Sequence, residues 1–436
     1  MPDALAGVLF RNGPARFDRA GFRYSHWFDG DGMVQAWRFG RGGVTHDARM
    51  IATSKFVRER KAGRFLVPAG GTTVPGAVTV RNNDDMNTAN TALVRHGGRL
   101  FALWEGGSAI ELNPDDLATL GPVTWREELV AAPFSAHPQI DRDGSLWNFG
   151  SLSMLGGSGL LIWRIGADGK LIRAATLATE SHGYLHSFVQ TDRHLVFMLM
   201  PYHREGAGVS FFEQLRFLPD QPCRVAVVPK DAPDTARWFE APFGAVYHFG
   251  NAYVNGSEIF VQAVRHRDLE QMRSPMSAAM RGERDASFGT DLAVLRLDLA
   301  SGRARWESRD VRDLEFPAFD PRWPDAKAAR IYAPVTVEPN RTPYSNAVAA
   351  IDVERGRRDV HRYGADVMAE EHVFVPKPGS RKPGQGWLIG TVLDTARGRS
   401  GMTVLDAERV AAGPLATAWV PYTLPLGFHG TFVAKA

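Results

Sequence analysis

An all-β fold, closed on itself as a propeller, is predicted by three observations: turn dipeptides recur ahead of short apolar runs, no helical stripe is sustained, and no compositional break marks a linker within the 436 residues. The first rests on segments spread along the chain. HGGRLFALWEGG (96–107), DRDGSLWNFG (141–150), GADGKLIRAATL (166–177), TDRHLVFMLM (191–200), NGSEIFVQAV (255–264), ASGRARWES (300–308) and KPGQGWLIGTVLD (382–394) each place a turn before an alternating or continuous apolar run. Gly and Asp-Gly supply the backbone freedom a tight hairpin needs, so these segments are expected to be strands entered from turns. The helix candidates are short, SAAMRGERDA (277–286) and DLEQMR (268–273), and belong in connections. Seven blades would allot about 62 residues each, enough for four strands with insertions. The chain is expected to form one domain over 1–436, although WD and kelch signatures are absent.

With 44% hydrophobic and 23% charged residues, the composition is that of a folded chain with a large core, which excludes disorder, collagen and a coiled coil. The formal net charge is only +3 and no run of like charges appears, so nucleic acid is not the expected partner. Cys223 is the single cysteine, which leaves no internal disulfide and no cysteine-rich zinc site, and makes a reduced cytoplasm the default compartment. No segment reaches the apolar length needed to span a bilayer, so any membrane contact would be peripheral.

Thirteen histidines are present, and four of them, His137, His186, His248 and His429, stand among apolar or small residues beside expected strands. Their spacings of 49, 62 and 181 residues are far too long for a zinc finger or an H-E-x-x-H helix. In a propeller the innermost strands line a central channel, where histidines from separate blades can converge on one axial ion. On spacing alone the readier explanation is four unrelated buried imidazoles, each bonded to a backbone carbonyl. His182 pairs with His186 at a helical spacing, but HGYLHSFVQ has no helical periodicity, and His182 is expected not to be a ligand. Nucleophile-elbow, phosphate-loop and dinucleotide signatures are absent. HWFDGDGM (26–33) resembles part of a calcium loop without its bidentate glutamate and is expected to be a turn.

Taken together, the words RNGP (11–14), HWFDGDGM (26–33), NTANT (87–91), ALWEGG (102–107), AHPQID (136–141), EFP (315–317), EEHVFVP (370–376) and GFHGTF (427–432) make this sequence resemble the carotenoid cleavage oxygenase family. That family includes carotenoid and apocarotenoid cleavage dioxygenases, lignostilbene dioxygenases and the retinal pigment epithelium retinoid isomerase. The resemblance implies a seven-bladed β-propeller with one axial iron(II) per chain, short helical cap insertions and a hydrophobic tunnel. It implies that His137, His186, His248 and His429 are the iron ligands, and that Glu105, Glu315 and Glu371 support them from behind, with Glu370 competing for the last role. Four neutral imidazoles would leave two octahedral positions open, and a carboxylate behind a histidine would fix its tautomer. Three glutamates would serve three histidines and leave the fourth without a carboxylate.

By the same resemblance, the expected reaction is oxidative cleavage of a conjugated carbon–carbon double bond with O2, giving two carbonyl products and needing no organic cofactor. The 25 Phe and 11 Trp offer material for a tunnel holding a lipophilic polyene. Lignostilbene-cleaving relatives typically carry a lysine immediately before the first supporting glutamate. Here Trp104 occupies that position, which favours a carotenoid or apocarotenoid over a stilbenoid or phenylpropanoid. The same family likeness is compatible with isomerisation without cleavage, and a non-catalytic lipophile-binding propeller would share the fold. The chain starts almost at the RNGP word, which leaves the tunnel entrance and dimer contacts open. In 205–224, Phe211, Phe212, Leu215, Phe217 and Leu218 lie beside arginines; this segment is either a peripheral membrane contact or a core-facing insertion.

Overall fold

The computed structural model describes residues 1–435 except 41, 153–157, 180–182, 207–209, 267–277, 279, 284–288, 324–326 and 328–329. All seven turn-and-run segments become a turn followed by a strand. One two-residue hairpin pairs His96 with Arg99 across Gly97 and Gly98, whose φ angles of +54° and +77° require glycine or a residue tolerant of the left-handed region.

Seven antiparallel sheets follow one another around the molecule as blades. Blade 2 is Ala92–His96, Arg99–Leu103, Ile110–Leu112 and Thr119–Pro122, and blade 3 is Gln139–Ile140, Leu146–Ser151, Leu160–Ile165 and Leu171–Leu177. Blade 4 opens on two short strands, Gly183–Tyr184 and Val189–Gln190, both paired to His194–Arg204, and continues through Cys223–Pro229 to Arg237–Ala241. Blade 5 comprises Ala245–Asn255, Glu258–His266, Thr290–Asp298 and Ala304–Arg312. Among the described residues blade 6 has three strands, Arg330–Val335, Ala347–Asp352 and Arg358–Arg362, and blade 7 has Val367–Pro376, Gly386–Asp394, Arg399–Asp406 and Pro414–Trp419. Blade 1 closes the ring: the last strand, Gly430–Ala434, pairs with the first, Gly7–Arg16, which continues into Asp31–Gly40 and Gly43–Met50.

The core lies between blades. Val196 and Val225 of blade 4 pack with Val261 and Leu295 of blade 5, and Leu9 and Trp37 of blade 1 pack with Ile389 and Met402 of blade 7. Middle strands are therefore covered on both faces, which is why His194–Arg204 is a continuous apolar run over Leu195–Met200 rather than an alternating one. The last strand of each blade carries exposed residues, as in Ala304–Arg312, and lies at the rim. The first strand lies at the axis.

The longest helix among the described residues is Ser54–Ala62, nine residues that the sequence reading did not single out. Thr53 accepts from Phe56 N at its start and Gly63 closes it at φ +68°. Its buried face is Lys55, Phe56 and Glu59, so it carries no apolar stripe to detect. Lys55 Nζ donates to Asp31 at 2.7 Å, Glu59 at 2.9 Å and Tyr24 OH at 3.2 Å, which pins this helix to blade 1. The candidates at 268–273 and 277–286 fall outside the described residues, save Ala278 and Met280, which are helical, and Arg281–Glu283, which are not. In 205–224, Phe211–Gln214 forms a short helix; Leu215 is buried and Phe211, Phe212, Phe217 and Leu218 are half-buried, so none of the five is exposed. Among the described residues, no helix is long and apolar enough to cross a membrane.

Candidate metal centre and substrate cavity

Four blades bring one histidine each to the axis. His137 stands two residues before the first strand of blade 3, His186 lies between the two opening strands of blade 4, His248 lies in the first strand of blade 5, and His429 immediately precedes the strand that closes blade 1. Near His248 the pairing register shifts between Val246 and Phe249, releasing the backbone there from strict alternation. One nitrogen from each ring lies within 4.8 Å of the others, which overturns the reading of four unrelated imidazoles. His137 Nε2 and His186 Nε2 are 2.9 Å apart, and the ring of His248 lies 5.0 Å from His186 and 4.9 Å from His429. His182 is outside the described residues.

Carboxylates stand behind three of these rings. His186 donates through Nδ1 to Glu105 Oε1, His248 through Nδ1 to Glu315 Oε2 at 2.7 Å, and His429 through Nδ1 to Glu371 Oε1 at 2.8 Å. Each such bond fixes the proton on Nδ1 and leaves Nε2 as a lone-pair donor directed at the axis. No carboxylate among the described residues pairs with His137. Glu371, rather than Glu370, supports His429; its second oxygen accepts from Arg11 Nη1 at 2.7 Å and Gly430 N at 2.8 Å.

Several contributors carried no separate signal in the sequence. His266, at the end of the second strand of blade 5, donates from Nε2 to Glu315 Oε1, so one carboxylate joins two histidines. Phe316 adopts the left-handed φ of +52°, which turns its N–H onto Glu315 Oε2 at 2.7 Å and sets its ring 5.1 Å from both His248 and His429. Arg11, 1% exposed, holds Glu371 and also Glu370. Its place in the RNGP word was visible, but the partners 359 and 360 residues away were not.

The electrostatics suit neutral ligands. Burial, reinforced by the neighbouring imidazoles, holds His137 well below the usual imidazole range. Burial lowers His248 to about 4 against the opposing pull of Glu315. Burial would raise Glu371, but His429 and Arg11 outweigh it and keep the carboxyl below its ordinary range. The donor set also fits a metal on a second ground: His248 Nε2 is buried with no hydrogen-bond partner, an atom that a bound cation would satisfy. Four imidazole nitrogens without a thiolate suit iron, copper, nickel or zinc rather than calcium or magnesium.

Of the four, His186, His248 and His429 open on a cavity of about 590 Å³. Trp27, Phe28, Trp104, Phe149, Tyr184 and Phe428 line it, together with Phe211 and Phe212 from the 205–224 segment. Phe212 packs on His26 and Phe28 with ring centroids 4.9 and 5.9 Å apart, and Phe28 and Phe212 both face the cavity. The HWFDGDGM word is more than a turn, because Trp27, Phe28 and Asp29 all reach this wall. Trp104 lies beside Glu105 on the same wall.

The model of the family described as retinal pigment epithelial membrane protein matches residues 1–434. The chain belongs to the carotenoid cleavage oxygenase family. This family member is 28% identical to the apocarotenoid-15,15'-oxygenase of Synechocystis over 99% of the chain and 91% of that protein. It is 28% identical to the carotenoid 9,10(9',10')-cleavage dioxygenase 1 of Arabidopsis thaliana, covering 100% of the chain and 85% of the relative. It is also 25% identical to the isoeugenol monooxygenase of Pseudomonas nitroreducens, covering 100% and 93%. Among solved structures, the cobalt-substituted Synechocystis apocarotenoid oxygenase superposes with a TM-score of 0.90 at 26% identity, covering 100% of this chain and 94% of that one. An oxygenase of this family with a metal-competent four-histidine centre is thus the common ground of sequence, fold and site.

Proposed function

We propose that the protein is a non-haem iron(II)-dependent dioxygenase that cleaves a conjugated C=C bond of a carotenoid or apocarotenoid. His137, His186, His248 and His429 would hold one iron, and Glu105, Glu315 and Glu371 would orient His186, His248 and His429. The observation that carries this reading is the convergence of four imidazoles, of which the three backed by carboxylates border a cavity lined by aromatic side chains. Bound iron(II) would supply the activation of O2. Overall, one C=C and one O=O bond are broken and two C=O bonds form, so both oxygen atoms enter the products and no reductant is consumed. The chain's own part is to fix the proton on Nδ1 of three ligands, to hold the polyene so that one double bond lies beside the metal, and to exclude water from that end. Trp104, next to Glu105, offers an apolar indole face where a charged side chain would favour a phenol.

Cleavage of a stilbenoid or phenylpropanoid is the second reading, favoured by the similarity to isoeugenol monooxygenase. The deciding experiment is mass spectrometry of products after aerobic incubation of iron(II)-loaded protein with apocarotenals, an intact carotenoid, hydroxylated stilbenes and isoeugenol. Polyene-derived aldehydes alone support the proposal, and phenolic aldehydes alone overturn its substrate. A product of unchanged mass identifies an isomerase. His248→Ala is expected to lose iron and turnover together while retaining polyene binding; a carrier would show no turnover before the substitution either.

A further inference from the structure

Glu370 borders the cavity, although Glu371 already supports His429. Its Oε2 is fully engaged, accepting from Gly427 N at 2.7 Å and Arg11 Nη2 at 3.0 Å. Its Oε1 has no hydrogen-bond partner among the described residues, and the side chain is 11% exposed and borders a cavity whose surface is largely aromatic and aliphatic. The neighbours are identifiable: Met368 lies two residues earlier on the same strand, Leu426 and Phe428 flank Gly427, and Trp27 packs 4.4 Å from Phe428 and 5.1 Å from Tyr344. An ion-paired carboxylate oxygen in such surroundings is costly to leave without a donor. The rest of the carboxylate cannot turn away to find one, because Arg11 and Gly427 fix it.

We infer that Glu370 determines substrate specificity by accepting a hydrogen bond from a hydroxyl group on the substrate. This rests on the proposal that the cavity is the substrate site. The chemistry selects alcohols and phenols, which donate, over aldehyde, ketone or ether ends, which present only oxygen lone pairs to a carboxylate. The hydroxyl has two sources consistent with the proposed function: a hydroxylated ring of an apocarotenoid, or the phenol of a stilbenoid. It would also add a polar anchor to a cavity whose wall includes the apolar Trp104, so that one end of the substrate is held by direction and the remainder by shape.

The test compares two matched pairs: a ring-hydroxylated apocarotenal with its deoxy counterpart, and a hydroxystilbene with its methoxy counterpart. Affinity is read from quenching of tryptophan fluorescence, Trp27 and Trp104 lying in the wall, on wild type, Glu370→Gln and Glu370→Met; turnover of the same ligands is measured separately with iron(II). In wild type the hydroxylated member of at least one pair is expected to bind about tenfold or more tightly, as charge-assisted hydrogen bonds do. The pair that shows the preference identifies the source of the hydroxyl. The preference should shrink in Glu370→Gln, which keeps a neutral acceptor, and fall below about threefold in Glu370→Met. The ratio within each protein cancels differences in folded fraction, and Glu370→Gln decides the matter if Glu370→Met does not fold. Equal affinity within both pairs, or a preference undiminished in the variants, overturns the inference. Selective binding without any turnover would instead sink the oxygenase proposal and leave Glu370 standing, and no quenching by any of the four ligands would overturn both.

Discussion

Replacing Glu315 by Gln probes the support of the metal centre most directly, because this one carboxylate accepts from His248 Nδ1 and Phe316 N on one oxygen and from His266 on the other. An amide has a single carbonyl oxygen, so it cannot accept from both sides. If the amide oxygen faces His248, its NH2 confronts a histidine N–H at His266; if it faces His266, the NH2 group meets His248 and favours the tautomer that carries its proton on Nε2, where it blocks the metal. Losing one charge-assisted bond costs about 1.5–3 kcal/mol, which at about 1.4 kcal/mol per decade corresponds to roughly a tenfold to hundredfold rise in the dissociation constant. The assay is anaerobic iron(II) titration against a competing chelator, with circular dichroism of the metal-free variant to establish that the propeller is intact. His266→Gln, which keeps the carboxylate on His248, is expected to weaken iron by less than tenfold. Iron affinity of a folded Glu315→Gln protein within threefold of wild type would refute the idea that this carboxylate sets the tautomer of His248.

Arg11→Met leaves Glu370 and Glu371 without their shared cation, and breaking a buried ion pair from one side costs about 3–5 kcal/mol, so a large fall in Tm is expected; Arg11→Lys, which reaches one carboxylate at a time, should recover part of it, and an unchanged Tm in Arg11→Met contradicts the assignment. The metal-free protein should weaken under mild acid. His372 and His248 are both lowered to about 4, by burial first, and a histidine whose folded value is depressed gives its full stability above the unfolded value near 6.5 and loses it as the pH falls toward 4. Each such group contributes a slope of about 1.4 kcal/mol per pH unit within that window, so urea midpoints between pH 7 and 5 should fall less steeply in His372→Gln than in wild type; equal slopes would rule out His372 as a contributor.

Turns were legible because their physics is local: Gly97 and Gly98 announce a hairpin whatever lies elsewhere in the chain. The helix Ser54–Ala62 was not, since two of the three side chains it buries are Lys55 and Glu59, and Lys55 finds its second carboxylate, Asp31, only in three dimensions. Nor could spacings of 49, 62 and 181 residues reveal that four histidines meet, because a propeller returns the chain to its axis at the start of every blade and sequence distance carries no measure of that return. The adjacent carboxylates show a subtler limit. Strict strand alternation would send Glu370 and Glu371 to opposite faces, yet both reach Arg11. The register shift between Ala369 and His372 explains it: the extra backbone length lets consecutive side chains serve the same interior, one behind His429 and the other at the cavity wall.

Ring closure and the metal centre are one structural problem in this chain. His429 immediately precedes the strand that pairs with Gly7–Arg16, its carboxylate comes from blade 7, and that carboxylate is held by Arg11 on the first strand. The joint between the two ends of the chain therefore passes through a candidate ligand, its acceptor and a buried cation in succession. The remaining ligands come from blades 3, 4 and 5, so an ion bound to all four would tie the closing blade across the axis to the opposite side of the ring. Such an ion binds the closed propeller and not the open chain, and at a hundred times its dissociation constant that preference is worth about 2.7 kcal/mol. A site assembled from distant blades thus has a thermodynamic consequence that a local metal loop lacks: whatever loosens the closure would weaken metal binding, and whatever weakens metal binding would loosen the closure.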